Sequence, residues 1–394
     1  MEDIRSTSIG ISGSYGGFNL GDEAILQVIL TDLRRAGPVE VTVFSRDAED
    51  TRRRHRVERV IELRSTPRSD AQKIVSSLDL LILGGGGILF DGDADMYLRE
   101  VFLALDVGTP VMVYAVGAGP LLDAAVRARI RDALDRVQVV TVRDRYSRQL
   151  LEEIGVSREI VVTADPAVLL TAESLTLDEI LRAEAIDPDA RLVGFSVREP
   201  GPAAPGLDVE HYHRLLANAA DFMVDRLDAE IVFIPLEQRT FDVQHSHAVV
   251  GRMSHAQRAT VLKRPYTPGQ ILSLLEHFEF TVGMRLHFLI FSALAGVPFV
   301  AVPYATKVSA FTDEPKVPHR ALEHVSAGEL IAKIDRAWDE REQRCARAQH
   351  ALREMQRRAA TNSALALSLL LTSDSTESHR RGRRCDAQSG VTSP

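Results

Sequence analysis

Short apolar segments alternate with amphipathic helical patterns along most of the chain, and this alternation restricts the fold more than any other feature. It is typical of parallel sheets covered by helices on both faces. Predicted strands of the first half are 9–12, 39–45, 78–83, 111–116, 138–142 and 160–163, with helices at 23–35, 96–107, 121–137 and 147–154. In the second half, strands are predicted at 192–197, 229–236, 259–263, 278–283 and 298–304, with helices at 211–227, 268–277 and 285–294. The sequence predicts an α/β fold of two Rossmann-like domains facing a cleft.

A polar linker at residues 171–191 separates the two halves. We therefore predict an N-terminal domain over 1–170 and a C-terminal domain over 190–345. A highly charged helical pattern follows and predicts a helix over 346–372. The remaining residues, 373–394, are polar and predict a disordered tail. The tail contains the basic sequence RRGRR, which we interpret as a solvated end.

Composition excludes several classes of protein. The 394 residues are 45% hydrophobic and carry a net charge of −8. The sequence has no long basic stripe, which argues against a nucleic-acid partner. Cys345 and Cys385 are too few and too far apart for a disulfide framework or a zinc site, which favours a reducing, cytoplasmic location. The N-terminus lacks the pattern of a signal peptide, and no apolar run is long enough to predict a transmembrane helix.

The loop after the first predicted strand, GSYGGFNLGDEAIL, is rich in glycine and leads into a helix. Such a loop normally holds a phosphate on the free N–H groups of the helix. Here Asp22 and Glu23 occupy the first helical turn, and their carboxylates would repel a phosphate. Both acids would also stabilise the helix start by about 0.3–1 kcal/mol each.

Glycine and charged residues follow nearly every predicted strand, which is where ligands bind in parallel sheets. The segments GGGG (84–87) and GAGP (117–120) fit neither a P-loop nor a dinucleotide fingerprint. For Gly84–Gly87, a tight strand exit and contact with a ligand are equally compatible with the sequence.

Four cations at strand ends predict a pocket for a dianion. Arg285 and His287 of MRLH follow a buried strand and open a helix, whose N-terminus favours an anion. Lys307 follows the next strand, and Arg143 follows a strand of the first half. Each alone would be interpreted as a surface cation. The paired histidines His211/His213 and His245/His247 do not share a helix face, so we predict surface positions for them.

Several motifs occur in the order seen in one family: GSYGGFNLGDEAIL, LILGGGGILFD, VMVYAVGAGP, TVRDRYSRQLLEEIGV, TADPAVLL and VGMRLHFLIFSALAGVPFVAVPYATKV. Over residues 9–311 the chain resembles the polysaccharide pyruvyl transferases, including the cell-wall type. The resemblance implies a fold similar to that of GT-B glycosyltransferases. It also implies transfer of pyruvate from phosphoenolpyruvate to a sugar, giving a ketal and free phosphate. Donor contacts implied by the motifs are Arg143, Arg285, Leu286, His287 and Lys307.

The opening loop then becomes the candidate acceptor site, because carboxylates accept hydrogen bonds from sugar hydroxyls. The acceptor residues predicted on this basis are Gly16, Gly17, Asn19, Gly21, Asp22, Glu23, Gly85, Gly86, Asp91, Gly117 and Gly119. His287 and Asp22 are the catalytic candidates, with Asp91 as a second candidate base. We expect no cofactor and no metal ion, since the cations can neutralise the donor's charge.

Two alternatives stay open from sequence. One is a glycosyltransferase of the same architecture with a nucleotide-sugar donor, and the other is a non-catalytic relative that binds an anion. Retention of all four cations argues against the latter. The acceptor sugar, its linkage to a lipid and the oligomeric state are not specified by the sequence. A lipid-linked acceptor would bring the enzyme to the inner membrane face.

Overall fold

The computed structural model describes residues 6–199, 207–239, 241–302 and 325–388, with side chains described as far as Leu371. The chain forms two compact units. Unit 1 comprises Met1–Gly16, Ile25–Pro166 and Arg357–Pro394, and unit 2 comprises Gly17–Ala24 and Ala167–Gln356. A single boundary near residue 170 therefore does not describe the division fully. A short segment of the opening loop belongs to unit 2, and the C-terminal segment belongs to unit 1.

Unit 1 contains a parallel sheet of eight strands. The strands are β1 (Thr7–Ser12), β2 (Val39–Ser45), β3 (Arg59–Glu62), β4 (Leu80–Leu83), β5 (Gly86–Leu89), β6 (Val111–Ala118), β7 (Val139–Val142) and β8 (Ile160–Val162). Their order is β3-β2-β1-β4-β6-β7-β8, and β5 pairs with the end of β6. The connection reverses direction between β1 and β4, which pair in register from Ile9 with Leu80 to Ser12 with Leu83. That reversal is the point at which Rossmann-like sheets bind ligands.

Unit 2 repeats this topology with five parallel strands. The strands are β9 (Arg191–Ser196), β10 (Ala229–Phe233), β11 (Ala259–Val261), β12 (Phe280–Gly283) and β13 (Phe299–Ala301). Their order is β11-β10-β9-β12-β13, so the reversal lies between β9 and β12. Ser196 of β9 pairs with Gly283 of β12, as Ser12 pairs with Leu83 in unit 1.

Helices connect the strands throughout. Those of the first half are α1 (Leu20–Ala36), α2 (Ala48–Arg54), α3 (Arg68–Val75), α4 (Ala94–Val107), α5 (Ala124–Arg136) and α6 (Arg145–Glu153). Those of the second half are α7 (Leu177–Glu184), α8 (Val209–Leu227), α9 (Phe241–Val250), α10 (Pro268–Leu275), α11 (Leu286–Leu294), α12 (Ala327–Asp339) and α13 (Arg341–Gln388). Short 3₁₀ helices lie at Pro166–Leu169 and Ala256–Arg258.

Local sequence explains where many helices begin and end. Thr267 and Gln270 form a reciprocal capping box before α10, with Pro268 at the first helical position. Ser326 and Glu329 form the same arrangement before α12. Helix α4 ends at Gly108, whose φ of 78° is the left-handed conformation favoured by glycine. The central strands β4 and β6 are buried along their whole length, as expected for strands covered on both faces.

Every strand predicted from the sequence is present, with small differences in its bounds. The sequence missed the edge strand β3 and the glycine-rich strand β5, and it missed the short helices α2, α3, α7 and α9. The final helix also differs from expectation, since α13 begins at Arg341 and continues to Gln388 rather than ending at residue 372. No proline interrupts residues 373–388, so the sequence contains no strong helix breaker at the predicted boundary.

Candidate functional site

The opening loop pairs with the chain that leaves β10. The Leu20 amide donates to the Leu236 carbonyl at 2.8 Å, and the Gln238 amide donates to the Phe18 carbonyl at 3.1 Å. Asn19 lies opposite Glu237 in an isolated antiparallel bridge. These backbone bonds attach Gly17–Ala24 to unit 2. The sequence had assigned this loop to the opposite domain from MRLH, and that assignment is wrong for these eight residues.

The acidic start of α1 is organised by Asn19. Its Oδ1 accepts from the Gly21 amide at 3.1 Å, and its Nδ2 donates to Asp22 Oδ2 at 2.9 Å. Asp22 is 8% exposed and Glu23 is fully buried. The two carboxylates thus lie in the first turn of a helix, where the helix dipole stabilises negative charge. Their structural role accounts for acids in a glycine-rich loop without a bound phosphate.

His287 packs directly against this helix start. It is the second residue of α11, with Arg285 at the N-cap and Leu286 buried at the first helical position. A Cβ atom built on Gly21 would lie 2.0 Å from His287 Nδ1. That distance is far inside van der Waals contact, so only glycine fits at position 21 beside the imidazole. Within unit 2, the structure therefore joins the catalytic candidate His287 to the proposed acceptor loop.

Arg285 is held by a buried carboxylate. Its Nη2 donates to Asp242 Oδ1 at 2.5 Å, its Nε donates to Asp242 Oδ2, and Asp242 is fully buried. Oδ2 also accepts from the amides of Leu236 at 3.1 Å and Glu237 at 2.9 Å. Arg285 consequently fastens the start of α11 to the same β10 exit that pairs with the opening loop. Both Nε and Nη2 of Arg285 donate to this anchor.

Arg143 lies in a glycine-lined slot of unit 1. Its Nη1 donates to Asp165 Oδ2 at 3.0 Å, and both side chains are buried. Cβ atoms built on Gly117 and Gly87 would lie 2.7 Å and 3.4 Å from Arg143 Nη2. Nε is buried and, among the described residues, makes no hydrogen bond, although Asp144 Oδ2 lies 3.5 Å away. One donor of this guanidinium is therefore available to an anion that reaches the slot.

The glycines at the strand reversal of unit 1 surround Tyr15. Cβ atoms on Gly13 and Gly84 would lie 2.7 Å and 2.0 Å from the Tyr15 side chain, which is fully buried. Gly84 is also bonded through its amide to Ser12 at 2.7 Å. A tyrosine ring thus fills the space beside Gly13 and Gly84 at the end of β1.

The other acceptor candidates lie in unit 1, apart from Gly17, and have structural contacts of their own. Asp91 accepts from the amides of Leu122 at 2.7 Å and Asp123 at 3.2 Å. Positive φ values of 68°, 95° and 100° occur at Gly16, Gly86 and Gly119, and Gly85 packs beside Ile25. Lys307 lies outside the described residues.

Replacement of Gly117 by alanine is expected to displace Arg143. The new Cβ would lie 2.7–2.9 Å from three atoms of its guanidinium, while Asp165 holds that group in place. We expect the free energy of unfolding to fall by about 1–3 kcal/mol, the usual cost of overpacking. Urea denaturation measures the loss. Gly37→Ala is the control, because nothing lies within 4 Å of a Cβ there; equal losses in both variants would contradict the packing described.

The sequence profile of the polysaccharide pyruvyl transferase family matches residues 19–306, which include the opening helix, Arg143 and MRLH. The chain belongs to the polysaccharide pyruvyl transferase family. A curated relative is the amylovoran biosynthesis protein AmsJ of Erwinia amylovora, which is 22% identical over 285 residues, or 68% of each chain. Membership of this family supports a transferase role and confirms the resemblance found in the sequence.

Solved structures share the fold of this pyruvyl transferase family member at low sequence identity. A putative UDP-N-acetylglucosamine 2-epimerase from Listeria monocytogenes has a TM-score of 0.60 and 12% identity, covering 91% of this chain and 94% of its own. A glycosyltransferase from Rickettsia africae has a TM-score of 0.60 and 12% identity, covering 94% and 99%. The predicted class of Rossmann-like units, similar to GT-B proteins, is confirmed.

A Tyr–His–His cluster, in which Tyr212 and His213 are buried and His245 is half-buried, was not predicted from the sequence. His213 Nε2 lies 2.9 Å from the Tyr212 hydroxyl and 2.8 Å from His245 Nδ1, and the Tyr212 hydroxyl lies 2.5 Å from the same Nδ1. The surface position predicted for His213 is wrong, since it is 3% exposed. Its partner lies on α9 rather than on its own helix α8, so spacing within either helix gave no signal. The position of His213 among the apolar residues of α8 was the only sequence feature that indicated its burial.

The cluster predicts acid sensitivity. Burial, with a smaller effect of His245, lowers the pKa of His213 from 6.5 to about 4. The unfolded chain therefore takes up a proton between pH 6.5 and 4 that the folded state excludes, and stability falls as pH decreases through this window. We expect a loss of roughly 2–3 kcal/mol at pH 4 relative to pH 7 from this residue. Urea denaturation at several pH values should show a smaller dependence in His213→Gln; identical slopes would contradict the assignment.

Among the described residues, no three His, Cys, Asp or Glu side chains converge as a metal site would require. None of the described helices combines the length and the apolarity needed to cross a bilayer.

Proposed function

We propose that this protein transfers the pyruvyl group of phosphoenolpyruvate to two hydroxyl groups of one sugar in a polysaccharide precursor, forming a cyclic ketal and releasing phosphate. Membership of the polysaccharide pyruvyl transferase family supports the proposal, and so does the similarity to AmsJ, a protein of amylovoran biosynthesis. The observation that carries it is the contact of His287 with the start of α1 at Gly21. This contact places the candidate proton donor beside the proposed acceptor loop within unit 2.

The reaction balances without an external oxidant or reductant. A proton adds to C3 of phosphoenolpyruvate, which leaves C2 with oxocarbenium character. A sugar hydroxyl then forms a bond to C2, the C2–O bond to phosphate breaks, and a second hydroxyl closes the ring. The two hydroxyl protons end on the C3 methyl group and on the released phosphate.

His287 suits the proton transfer because imidazole nitrogens can donate and accept protons. Two roles fit its position, namely protonation of C3 and stabilisation of the departing phosphate. Asp22 is the proposed base for the acceptor hydroxyl, and Asn19 keeps its carboxylate in place through the 2.9 Å bond. Asp91 suits this role less well, since both its oxygens already accept backbone hydrogen bonds.

The donor's charges are neutralised in this proposal by Arg143, Arg285 and Lys307. Arg143 is supported by the buried Nε that makes no hydrogen bond among the described residues. Arg285 is a donor contact implied by the family resemblance, and its ion pair with Asp242 holds its guanidinium at the start of α11. The N–H groups at the start of α11 add partial positive charge beside His287. These groups supply the electrostatic stabilisation that the proposal needs without a metal ion or cofactor.

Calorimetric titration tests the donor. We expect wild-type protein to bind phosphoenolpyruvate, and Arg143→Ala, Arg285→Ala and His287→Ala each to weaken that binding at least tenfold, as loss of a charge-assisted contact implies. UDP-sugars are titrated in parallel. Binding of a UDP-sugar without any binding of phosphoenolpyruvate would overturn the proposal in favour of a glycosyltransferase.

A further inference from the structure

A cavity of about 270 Å³ lies in unit 2 at the exits of β10 and β11. One wall is the loop that follows β10, including Gln238 and Arg239. The other is the loop that follows β11, including Lys263 and Arg264. The Gln238 Nε2 donates to the Tyr266 carbonyl at 3.5 Å and so connects the two walls.

The cavity is strongly cationic. Arg239, Lys263 and Arg264 line it, and no acidic side chain belongs to its described lining. Within the described part of the chain, none of the three forms an ion pair with a carboxylate. Surface cations of this protein are otherwise often paired, as Arg226 is with Asp335 and Arg258 with Asp228. Three unpaired cations around one cavity favour an anion carrying more than one charge.

Side-chain contacts hold both cationic walls in position. Glu184 is 1% exposed, and its oxygens accept from the Lys263 amide at 3.0 Å, the Arg264 amide at 3.1 Å and the Tyr266 hydroxyl at 2.6 Å. The guanidinium of Arg239 lies 4.3 Å from the centre of the Phe18 ring. Glu184 thus fixes the loop through two backbone amides and one hydroxyl, and among the described residues it forms no ion pair with Lys263 or Arg264.

The remaining lining combines apolar side chains with the polar side chains of Gln238, His247 and Tyr266. The apolar part of the lining includes Pro235, Val243, Leu262 and Ile271. An apolar group of a ligand would therefore be transferred from water to an apolar surface. The wall that bears Arg239 is also the segment paired with Phe18 and Leu20 of the opening loop. The cavity is thus connected by one backbone segment to the proposed acceptor loop beside His287.

We propose that this cavity binds the diphosphate ester of the acceptor, with the phosphates on Arg239, Lys263 and Arg264 and the ester group on the apolar wall. A diphosphate carries more negative charge and more acceptor oxygens than a single phosphate, which suits three cations on two walls. Two kinds of sugar carrier share this chemistry, a nucleoside diphosphate and a polyisoprenyl diphosphate. The assignment of the ligand as acceptor rests on the proposed function; the diphosphate site does not.

Titration with inorganic diphosphate tests the site. We expect binding by wild-type protein, weakened about tenfold in Arg239→Gln and at least tenfold in Lys263→Gln/Arg264→Gln, as loss of charge-assisted contacts implies. Arg214→Gln, an exposed arginine of α8 outside the cavity, is the matched control and should retain full affinity. Absence of binding by the wild type, or equal weakening in the control, would overturn the site.

Phosphoenolpyruvate titrated into the same variants separates the two proposals. Retained donor affinity in the cavity variants supports a second anion site, while loss of both ligands together would make the cavity part of the donor site and overturn the inference. Failure of phosphoenolpyruvate to bind any form, with diphosphate still bound, would refute the proposed function alone.

UDP and farnesyl diphosphate then distinguish the carriers, since the one that binds more tightly than inorganic diphosphate identifies the ester. No gain from either would contradict the role of the apolar wall.

Discussion

Replacement of His287 by asparagine is expected to reduce pyruvyl transfer by about two to four orders of magnitude, the usual contribution of a positioned general acid or base. Asparagine keeps a hydrogen-bonding side chain of similar reach beside Gly21 but cannot transfer a proton at neutral pH. The first turns of α1 and α11 should therefore be preserved while the chemical step is lost. We expect this variant to fold with wild-type stability to within about 1 kcal/mol.

The measurement uses phosphoenolpyruvate with a panel of glycosides that carry a 4,6-diol or a vicinal diol. The ketal methyl group is followed by NMR, and phosphate release is followed in parallel. His277→Asn is the matched control, because His277 is an exposed histidine of the same unit and precedes β12. Turnover by His287→Asn at the rate of the control would remove His287 from the mechanism. Deuterium entering the C3 methyl group in D₂O reports the protonation step separately from phosphate departure.

Replacement of Asp242 by alanine is expected to lower the free energy of unfolding by about 3–5 kcal/mol, the cost of breaking a buried ion pair by removing one partner. The change leaves the Arg285 guanidinium, which is 12% exposed, without its carboxylate. It also removes the acceptor for the Leu236 and Glu237 amides, so the segment that pairs with the opening loop loses its anchor. This makes the expected loss larger than that of any surface ion pair.

Urea denaturation measures this loss. The control is Asp225→Ala, which removes the carboxylate of an exposed pair with His255 and should cost less than about 1 kcal/mol. Similar values for the two variants would contradict the anchoring role of Asp242.

Arg285→Lys separates anchoring by Arg285 from donor binding. A lysine cannot reproduce the planar fork, so we expect weaker binding of phosphoenolpyruvate as well as lower stability. Unchanged donor affinity would show that Arg285 is an anchor alone.

The candidate site was only partly predictable from the sequence. MRLH stood out because a cation and a histidine after a buried strand lie at a helix N-terminus, and the structure has them there. The partner of Arg285 did not stand out, since Asp242 is 43 residues away on a helix that the sequence did not predict. The same limit applied to Arg143, whose partner Asp165 and neighbour Gly117 lie on other strand ends.

The glycines show a similar division. Gly84–Gly87 were compatible with a tight strand exit or with ligand contact, and the structure gives them different roles. Gly84 makes space for Tyr15, Gly86 adopts a positive φ in β5, and Gly87 borders Arg143. A glycine in the sequence is compatible with a position that has no space for a Cβ atom. Only the tertiary structure shows which group fills that space.

The sequence by itself determined the α/β class, the parallel strands and the family, because the period of apolar residues and the order of motifs are local properties of the chain. Only the tertiary structure decided that Gly17–Ala24 joins unit 2, that His213 is buried, and that Arg285 is paired with Asp242. Each of these depends on backbone or side-chain groups far apart in sequence that satisfy one another's hydrogen bonds, and local patterns carry no information about which distant groups will meet.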